Sequence, residues 1–216
     1  MYDYIFLDLD GTVTESEEGI LNSVAYALEK LGYPVEDKNT LRPFIGPPLS
    51  ESFREFYGFD DETSARGVRY YREYYPQKGI FENKLYGGME ELLKALSETD
   101  STIVLATSKP EVFAVRILEH FGVSQYFDLI AGSTMDGTRN NKTDVLKYAI
   151  SQIGVTDMSE SLMVGDRKHD VAGAHNVGMK CAYVLFGYGS REEAQSCGAD
   201  FILEDVNALG EFLLKE

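Results

Sequence analysis

Residues 5–12 read Ile-Phe-Leu-Asp-Leu-Asp-Gly-Thr, and the interpretation of the whole chain starts from this stretch. Its apolar first half, rich in β-branched and aromatic residues, is typical of a buried strand. Because side chains alternate along a strand, Asp8 and Asp10 begin on the same side. Two close carboxylates repel each other unless a cation such as Mg²⁺ lies between them. Gly11 permits a turn whose amides can face an anion. The stretch therefore indicates a metal and phosphate site after a strand, although surface turns use the same residue types.

The composition argues against several classes of partner. The chain has 216 residues, 44% of them hydrophobic, and a formal net charge of −16. This length suits one domain with a small insert. The acidic balance argues against nucleic acid and against anionic membranes. We find no secretory signal and no apolar run approaching the ~18 residues of a membrane span, so we expect a cytoplasmic protein, either a monomer or a homodimer.

The order of predicted elements separates the chain into two parts. Helical patterns dominate the first part and cover residues 20–31, 49–57 and 60–75. Loops rich in proline and glycine are predicted at 41–49 and at 76–88. From Gly88 onward strands and helices alternate, which favours a parallel sheet with right-handed crossovers. We therefore predict an α/β core formed by residues 1–14 and 85–216, and a helical insert formed by residues 15–84.

Further polar residues follow two later strands of the predicted core. Thr107 and Ser108 end the strand predicted at 102–107, and Asp166 follows the strand at 161–164. Ligands of open parallel sheets bind beyond the carboxyl ends of the strands, so we expect these residues to converge with the first acid pair.

A basic residue between those two strands also calls for an explanation. Lys142 begins a predicted helix, where a cation is unfavourable unless an anion is held nearby. Arg139, three residues earlier, is the alternative cation. An ordinary surface lysine would also fit this position.

These stretches, taken in order, resemble the four motifs of the haloacid dehalogenase superfamily of phosphatases. The four are Asp8-Leu9-Asp10-Gly11-Thr12, then Thr107, then Lys142, then Gly165-Asp166-Arg167-Lys168-His169-Asp170. The resemblance covers essentially the whole chain. It implies a Rossmann-like α/β core with a helical cap inserted after the first motif, as in phosphoglycolate phosphatase-like members. Glu15-Ser16 stands where those members often carry Asp-Ser.

The resemblance implies a catalytic role for four residues. Asp8 is the nucleophile and becomes an aspartyl phosphate. Asp10 protonates the leaving alkoxide and then takes a proton from the attacking water. The hydroxyl of Thr107 and the ammonium group of Lys142 orient the phosphoryl group and neutralise its charge.

The resemblance also implies a metal site. Mg²⁺ is held by Asp8, the backbone carbonyl of Asp10 and Asp166, with Asp170 supporting these ligands by hydrogen bonding.

Substrate contacts are expected next to the motifs and in the insert. The substrate-binding residues implied are Leu9, Ser108, Arg42 and Gly46, the last two from the loop at 42–49. Lys109 could also approach the phosphate. As a lid over the site, the insert would exclude bulk water and favour small phosphate esters.

The implied function is that of a Mg²⁺-dependent phosphatase acting on a small-molecule phosphate monoester, phosphoglycolate phosphatase-like or 5'-nucleotidase-like. The alternative is a phosphomutase of the β-phosphoglucomutase type, which passes the phosphoryl group to a second hydroxyl. A dehalogenase would leave Asp10 without a leaving-group oxygen to protonate. A regulatory module without activity would lack a motif residue, and none is missing.

Overall fold

The chain consists of two compact units. The computed structural model describes residues 2–215. The core unit contains the chain up to Glu15 and from Leu85 onward, and the inserted unit is Ser16–Lys84.

The core unit is built on a parallel sheet. The strands of residues 2–215 are, in chain order, Tyr4–Leu7 (β1), Thr14–Glu15 (β2), Lys84–Leu85 (β3), Thr102–Pro110 (β4), Leu129–Ser133 (β5), Ser161–Gly165 (β6), Lys180–Val184 (β7) and Phe201–Leu203 (β8). Six of them form one sheet in the order β5-β4-β1-β6-β7-β8, with parallel pairing throughout. The predicted α/β class with a parallel sheet is therefore confirmed.

The first strand lies at the switch point of this sheet. The chain runs from β1 to β4 and β5 on one side, and then to β6, β7 and β8 on the other. Ile5, Phe6 and Leu7 are buried, as expected for a strand with both faces covered. In the register, Leu7 pairs with Leu105 on β4 and with Val164 on β6. The residues that follow these three positions therefore meet at one edge, where ligands of such sheets bind.

The helices largely follow the apolar periodicity of the sequence. They are Glu17–Leu31 (α1), Leu49–Tyr57 (α2), Asp61–Tyr74 (α3), Met89–Ser97 (α4), Glu111–Phe121 (α5), Lys142–Ile153 (α6), Lys168–Asn176 (α7), Arg191–Ser196 (α8) and Val206–Leu213 (α9). We did not predict α8. Its signal is local, because Ser190 caps the helix by accepting a hydrogen bond from the Glu193 amide at 3.2 Å. None of the helices within residues 2–215 has both the length and the apolar character needed to span a membrane.

The inserted unit departs from the prediction at two points. Lys38–Phe44 is a 3₁₀ helix that runs into the predicted loop, and Asp37 starts it by accepting a hydrogen bond from the Asn39 amide. Tyr75–Gly79 is a π-helical turn, closed by the Ile80 amide donating to the Tyr75 carbonyl at 2.8 Å. Each segment contains a proline, which a short helical turn can accommodate. The presence of proline alone predicts a loop at both places.

Candidate active site

Asp8 lies at the centre of the edge where the strands end. It follows β1 directly, and its amide donates to the Val164 carbonyl of β6 at 2.9 Å. Asp166 follows β6 and is fully buried. Thr107 lies inside β4, which runs three residues beyond its predicted end. The three polar strand ends that the sequence singled out therefore share one edge of the sheet.

A cluster of three buried carboxylates forms at this edge. Oxygen atoms of Asp8, Asp166 and Asp170 all lie within 4.8 Å of one another. Lys142, at the start of α6, places its Nζ 2.7 Å from Asp8 Oδ1 and 2.8 Å from Asp170 Oδ1. The same ammonium group donates to the Ala106 carbonyl at 2.7 Å. A cation at the start of a helix needs an anion held nearby, and Asp8 and Asp170 are the anions beside Lys142.

The charges of this cluster do not balance. Burial raises the pKa of Asp8 to about 6, against the attraction of Lys142. Burial also raises the pKa of Asp166, and the charge of Asp170 adds to the effect. Burial alone would lower the pKa of Lys142, but Asp170 and Asp8 outweigh it and raise that pKa, so the lysine is charged. With all three carboxylates ionised, the cluster has two more negative charges than the one ammonium group balances, and a divalent cation would neutralise them.

The hydrogen bonds show which oxygens are available to a metal ion. Asp170 uses one oxygen on Lys142 and the other on the Arg167 amide, at 3.1 Å. Asp166 Oδ2 accepts from the Tyr188 amide at 2.7 Å, whereas its Oδ1 is buried without a hydrogen-bond partner within residues 2–215. Mg²⁺ commonly takes one or two carboxylates and keeps its remaining ligands as water. Asp8 and Asp166 fit this role, and Asp170 fits a supporting one.

Asp10 has a different environment from the other acids. Its Oδ2 lies 2.5 Å from the Nζ of Lys109, whose side chain is almost fully buried. The sequence could not place Lys109, and the structure puts it on Asp10. The Asp10 carboxylate therefore lies outside the three-acid cluster, and the predicted metal contact of this residue, through its backbone carbonyl, stays a prediction.

Gly11 is needed for the close approach of the first and fourth motifs. Its φ of 84° lies in the left-handed region, which other residues rarely adopt. A Cβ atom at this position would lie 2.2 Å from Asp166 Oδ2. Any side chain here would therefore displace the carboxylate.

The remaining candidates have contacts of their own. The Thr107 hydroxyl accepts a hydrogen bond from the Lys109 amide at 3.2 Å. Ser108 is exposed. The carbonyl of Leu9 accepts from the amides of 12–14 in the turn after β1. Arg139, the alternative to Lys142, pairs with Glu111 at 2.6 Å instead.

Two predicted substrate residues belong to the inserted unit. Arg42 lies in the 3₁₀ helix, and its guanidinium group pairs with Glu17 of α1. Gly46 follows that helix with a φ of 105°. Their proposed contact with substrate stays a prediction.

The family of the chain follows from comparison with known proteins. The profile of the family described as haloacid dehalogenase-like hydrolase matches residues 4–184. The chain belongs to this family. All four motif regions of this haloacid dehalogenase-like hydrolase fall inside the matched segment, and the carboxylate cluster is built from its first and fourth motifs.

Relatives within the family point to phosphate chemistry. A 5'-nucleotidase of Pseudomonas aeruginosa is 40% identical over 212 residues, which is 98% of this chain and 96% of the relative. A phosphoglycolate phosphatase of Vibrio parahaemolyticus is 30% identical over 214 residues, 95% of this chain and 93% of the relative. A crystal structure described as a predicted phosphatase from Clostridium acetobutylicum superimposes with a TM-score of 0.94 at 45% identity, covering 99% of each chain. The predicted family, fold class and enzyme class are confirmed: the chain is a phosphatase of this family.

Proposed function

We propose that the protein hydrolyses small-molecule phosphate monoesters in a Mg²⁺-dependent reaction with an aspartyl-phosphate intermediate. The observation that carries this proposal is the cluster of Asp8, Asp166 and Asp170 around Lys142, with a partnerless Asp166 oxygen inside it. An excess of buried negative charge destabilises a fold if it only has a structural role. In a metal-dependent nucleophilic site the same excess binds the metal ion.

Each residue of the cluster has a task in this proposal. Lys142 holds the Asp8 carboxylate in one orientation, from which Asp8 attacks phosphorus and forms the acyl phosphate. Asp166 and Asp8 would hold the metal ion, and Asp170 binds the Lys142 ammonium group at 2.8 Å. When bound, Mg²⁺ offsets the charge that develops on the phosphoryl oxygens.

Asp10 is placed to handle protons next to the nucleophile. It gives a proton to the leaving alkoxide, and it then takes one from the water that cleaves the acyl phosphate. Lys109 keeps the Asp10 side chain in one place through the contact at 2.5 Å. Splitting a difficult displacement into two easier steps is the benefit of the covalent route.

The substrate class follows from the relatives rather than from the cluster. A nucleoside monophosphate and phosphoglycolate are the first candidates, because relatives that align over nearly the whole chain carry the names 5'-nucleotidase and phosphoglycolate phosphatase. The predicted cytoplasmic location, the oligomeric state and the absence of nucleic-acid or membrane partners stay predictions.

A screen of metabolite phosphates tests the proposal. Purified protein with Mg²⁺ is incubated with nucleoside monophosphates, phosphoglycolate and sugar phosphates, and release of inorganic phosphate is measured. We expect release from at least one ester and none with Asp8→Asn. Failure to release phosphate from any of them would contradict a phosphatase. Isomerisation of a sugar phosphate that depends on a sugar bisphosphate would support the phosphomutase instead.

A further inference from the structure

A glutamate outside the four motifs contacts the segment that directly follows Asp166, a proposed metal ligand. Glu193 belongs to α8, the helix that the sequence patterns missed, and it is partly buried. Its Oε1 accepts from the Lys168 amide at 2.8 Å and from Arg167 Nε at 3.1 Å. These two donors are the residues that immediately follow Asp166. Glu193 therefore holds one backbone amide and one side chain of the segment directly after a proposed metal ligand.

The same carboxylate oxygen also binds a buried tyrosine of the sheet. Tyr183, on β7, donates its hydroxyl to Glu193 Oε1 at 3.0 Å and is itself fully buried. Burial alone would raise the pKa of Glu193, but the hydrogen bonds from Arg167 and the Lys168 amide outweigh it and lower that pKa. Glu193 is thus a charged acceptor that connects α8, β7 and the segment after β6.

The segment 187–189 lies against both Tyr183 and Asp166 and so connects the contacts of Glu193 with the proposed metal ligand. A Cβ atom on Gly189 would lie 1.7 Å from the Tyr183 hydroxyl and 2.2 Å from the Asp166 carbonyl oxygen, so the backbone fits closely between them. Next to it, the Tyr188 amide donates to Asp166 Oδ2. This bond fixes the rotation of the carboxylate and leaves the other oxygen, Oδ1, for a ligand.

We infer that Glu193 is a positioning residue for the metal site: by holding Arg167, Lys168 and Tyr183, it sets the orientation of Asp166. The inference rests on the proposed function, because it takes Asp166 as a metal ligand. The position of Asp170 depends on the same anchor, since one of its oxygens binds the Arg167 amide. Replacing a group that hydrogen-bonds a metal ligand directly typically changes metal affinity by about 10- to 100-fold, and the lower end of this range is expected for Glu193, which acts through Arg167 and Lys168.

The test compares two neighbouring glutamates of α8. Glu193→Gln keeps the shape of the side chain and removes the charge that binds Arg167, while Glu192→Gln makes the same change on an exposed residue. Mg²⁺ binding to each purified protein is measured by calorimetry without substrate, at a temperature well below unfolding. We expect the dissociation constant of Glu193→Gln to rise by about 10-fold or more and that of Glu192→Gln to match wild type.

Two further measurements separate positioning from a general loss of stability. At saturating Mg²⁺, the turnover number of Glu193→Gln should return most of the way to the wild-type value, because the metal then compensates for the poorer site. Tyr183→Phe, which removes one of the three hydrogen bonds to Glu193 Oε1, should weaken Mg²⁺ binding less than Glu193→Gln does.

The outcomes are distinct for the two claims. A Glu193→Gln variant that unfolds at a lower temperature but binds Mg²⁺ as tightly as Glu192→Gln would overturn the inference and leave the proposed function standing. A wild-type protein that binds no Mg²⁺ and hydrolyses no ester would overturn both. Weaker Mg²⁺ binding by Glu193→Gln, with unchanged binding by Glu192→Gln, would support both the proposed function and the positioning role of Glu193.

Discussion

Replacing Lys142 with methionine tests the charge balance of the candidate site directly. The ammonium group has three protons, and it has three acceptors: Asp8 Oδ1 at 2.7 Å, Asp170 Oδ1 at 2.8 Å and the Ala106 carbonyl at 2.7 Å. Methionine has nearly the same length but no charge and no donor. The substitution therefore removes the positive charge and the three donors of the site while leaving little empty space.

The expected cost is large because the pair is buried. Only 3% of the Lys142 side chain is exposed. Breaking a buried ion pair by removing one partner costs about 3 to 5 kcal/mol, since the remaining charge stays buried without compensation. For a protein of this size each kcal/mol corresponds to about 2 to 4 °C, so the melting temperature should fall by about 6 to 20 °C.

The assay is thermal or urea unfolding in the presence of EDTA, with Lys147→Met as the matched control. Lys147 lies on the same helix, α6, and is exposed, so its replacement should change stability by less than about 0.5 kcal/mol. The loss in Lys142→Met should also shrink as the pH falls toward 5. Burial raises the pKa of Asp8 to about 6 while Lys142 holds it down, so in the variant that pKa is higher still, and protonation on the way to pH 5 removes the uncompensated charge. Equal melting temperatures for the two variants at pH 8 would refute the reasoning.

Three other predictions concern the chemistry and its selectivity. Asp8→Asn should retain less than a few per cent of wild-type phosphate release while keeping its fold, because an amide cannot attack phosphorus; Asp3→Asn, on an exposed residue, is the control. Excess EDTA should abolish activity, Mg²⁺ should restore it, and Ca²⁺ should support it poorly because its coordination shell is larger and less rigid. Exchange of residues 16–84 for those of another family member should transfer the donor's substrate ranking, since the proposed core residues act on the phosphoryl group and the leaving oxygen, which all phosphate monoesters share.

Each of these has a result that would count against it. Activity of Asp8→Asn close to that of Asp3→Asn would exclude Asp8 as the nucleophile. Full activity in EDTA, with the removal of metal verified by elemental analysis, would exclude a metal-dependent reaction. A chimera that keeps the ranking of the unmodified protein would show that the inserted unit does not select the substrate.

Local patterns were sufficient for most elements of the fold. The apolar run before Asp8 predicted β1, and the periodicity of α6 predicted a helix that begins at Lys142. The π turn at Tyr75–Gly79 was missed because proline and glycine occur in turns and loops alike. The helix α8 was missed because it is only six residues long, too short for its apolar period to register, although its serine cap was readable.

Several contacts at the site could not be predicted because their partners lie far apart in the chain. Asp10 and Lys109 are separated by 99 residues, and only the register between β1 and β4 brings their strand ends together. Glu193 carries no motif, and its contact with Arg167 depends on where α8 packs. The order of the motifs favoured Lys142 over Arg139, and it is Lys142 that contacts the carboxylate cluster in the structure.

The sequence by itself determined most of the strands and helices in their order, the family, and the acids that follow β1 and β6, because each of these depends on the spacing of residues along the chain. Only the tertiary structure decided the partners of those acids. Asp170 and Lys142 join Asp8 and Asp166, whereas Asp10 pairs with Lys109. Electrostatic interactions depend on distances of a few ångströms, and such distances across a parallel sheet are set by strand order and register, which spacing along one chain does not specify.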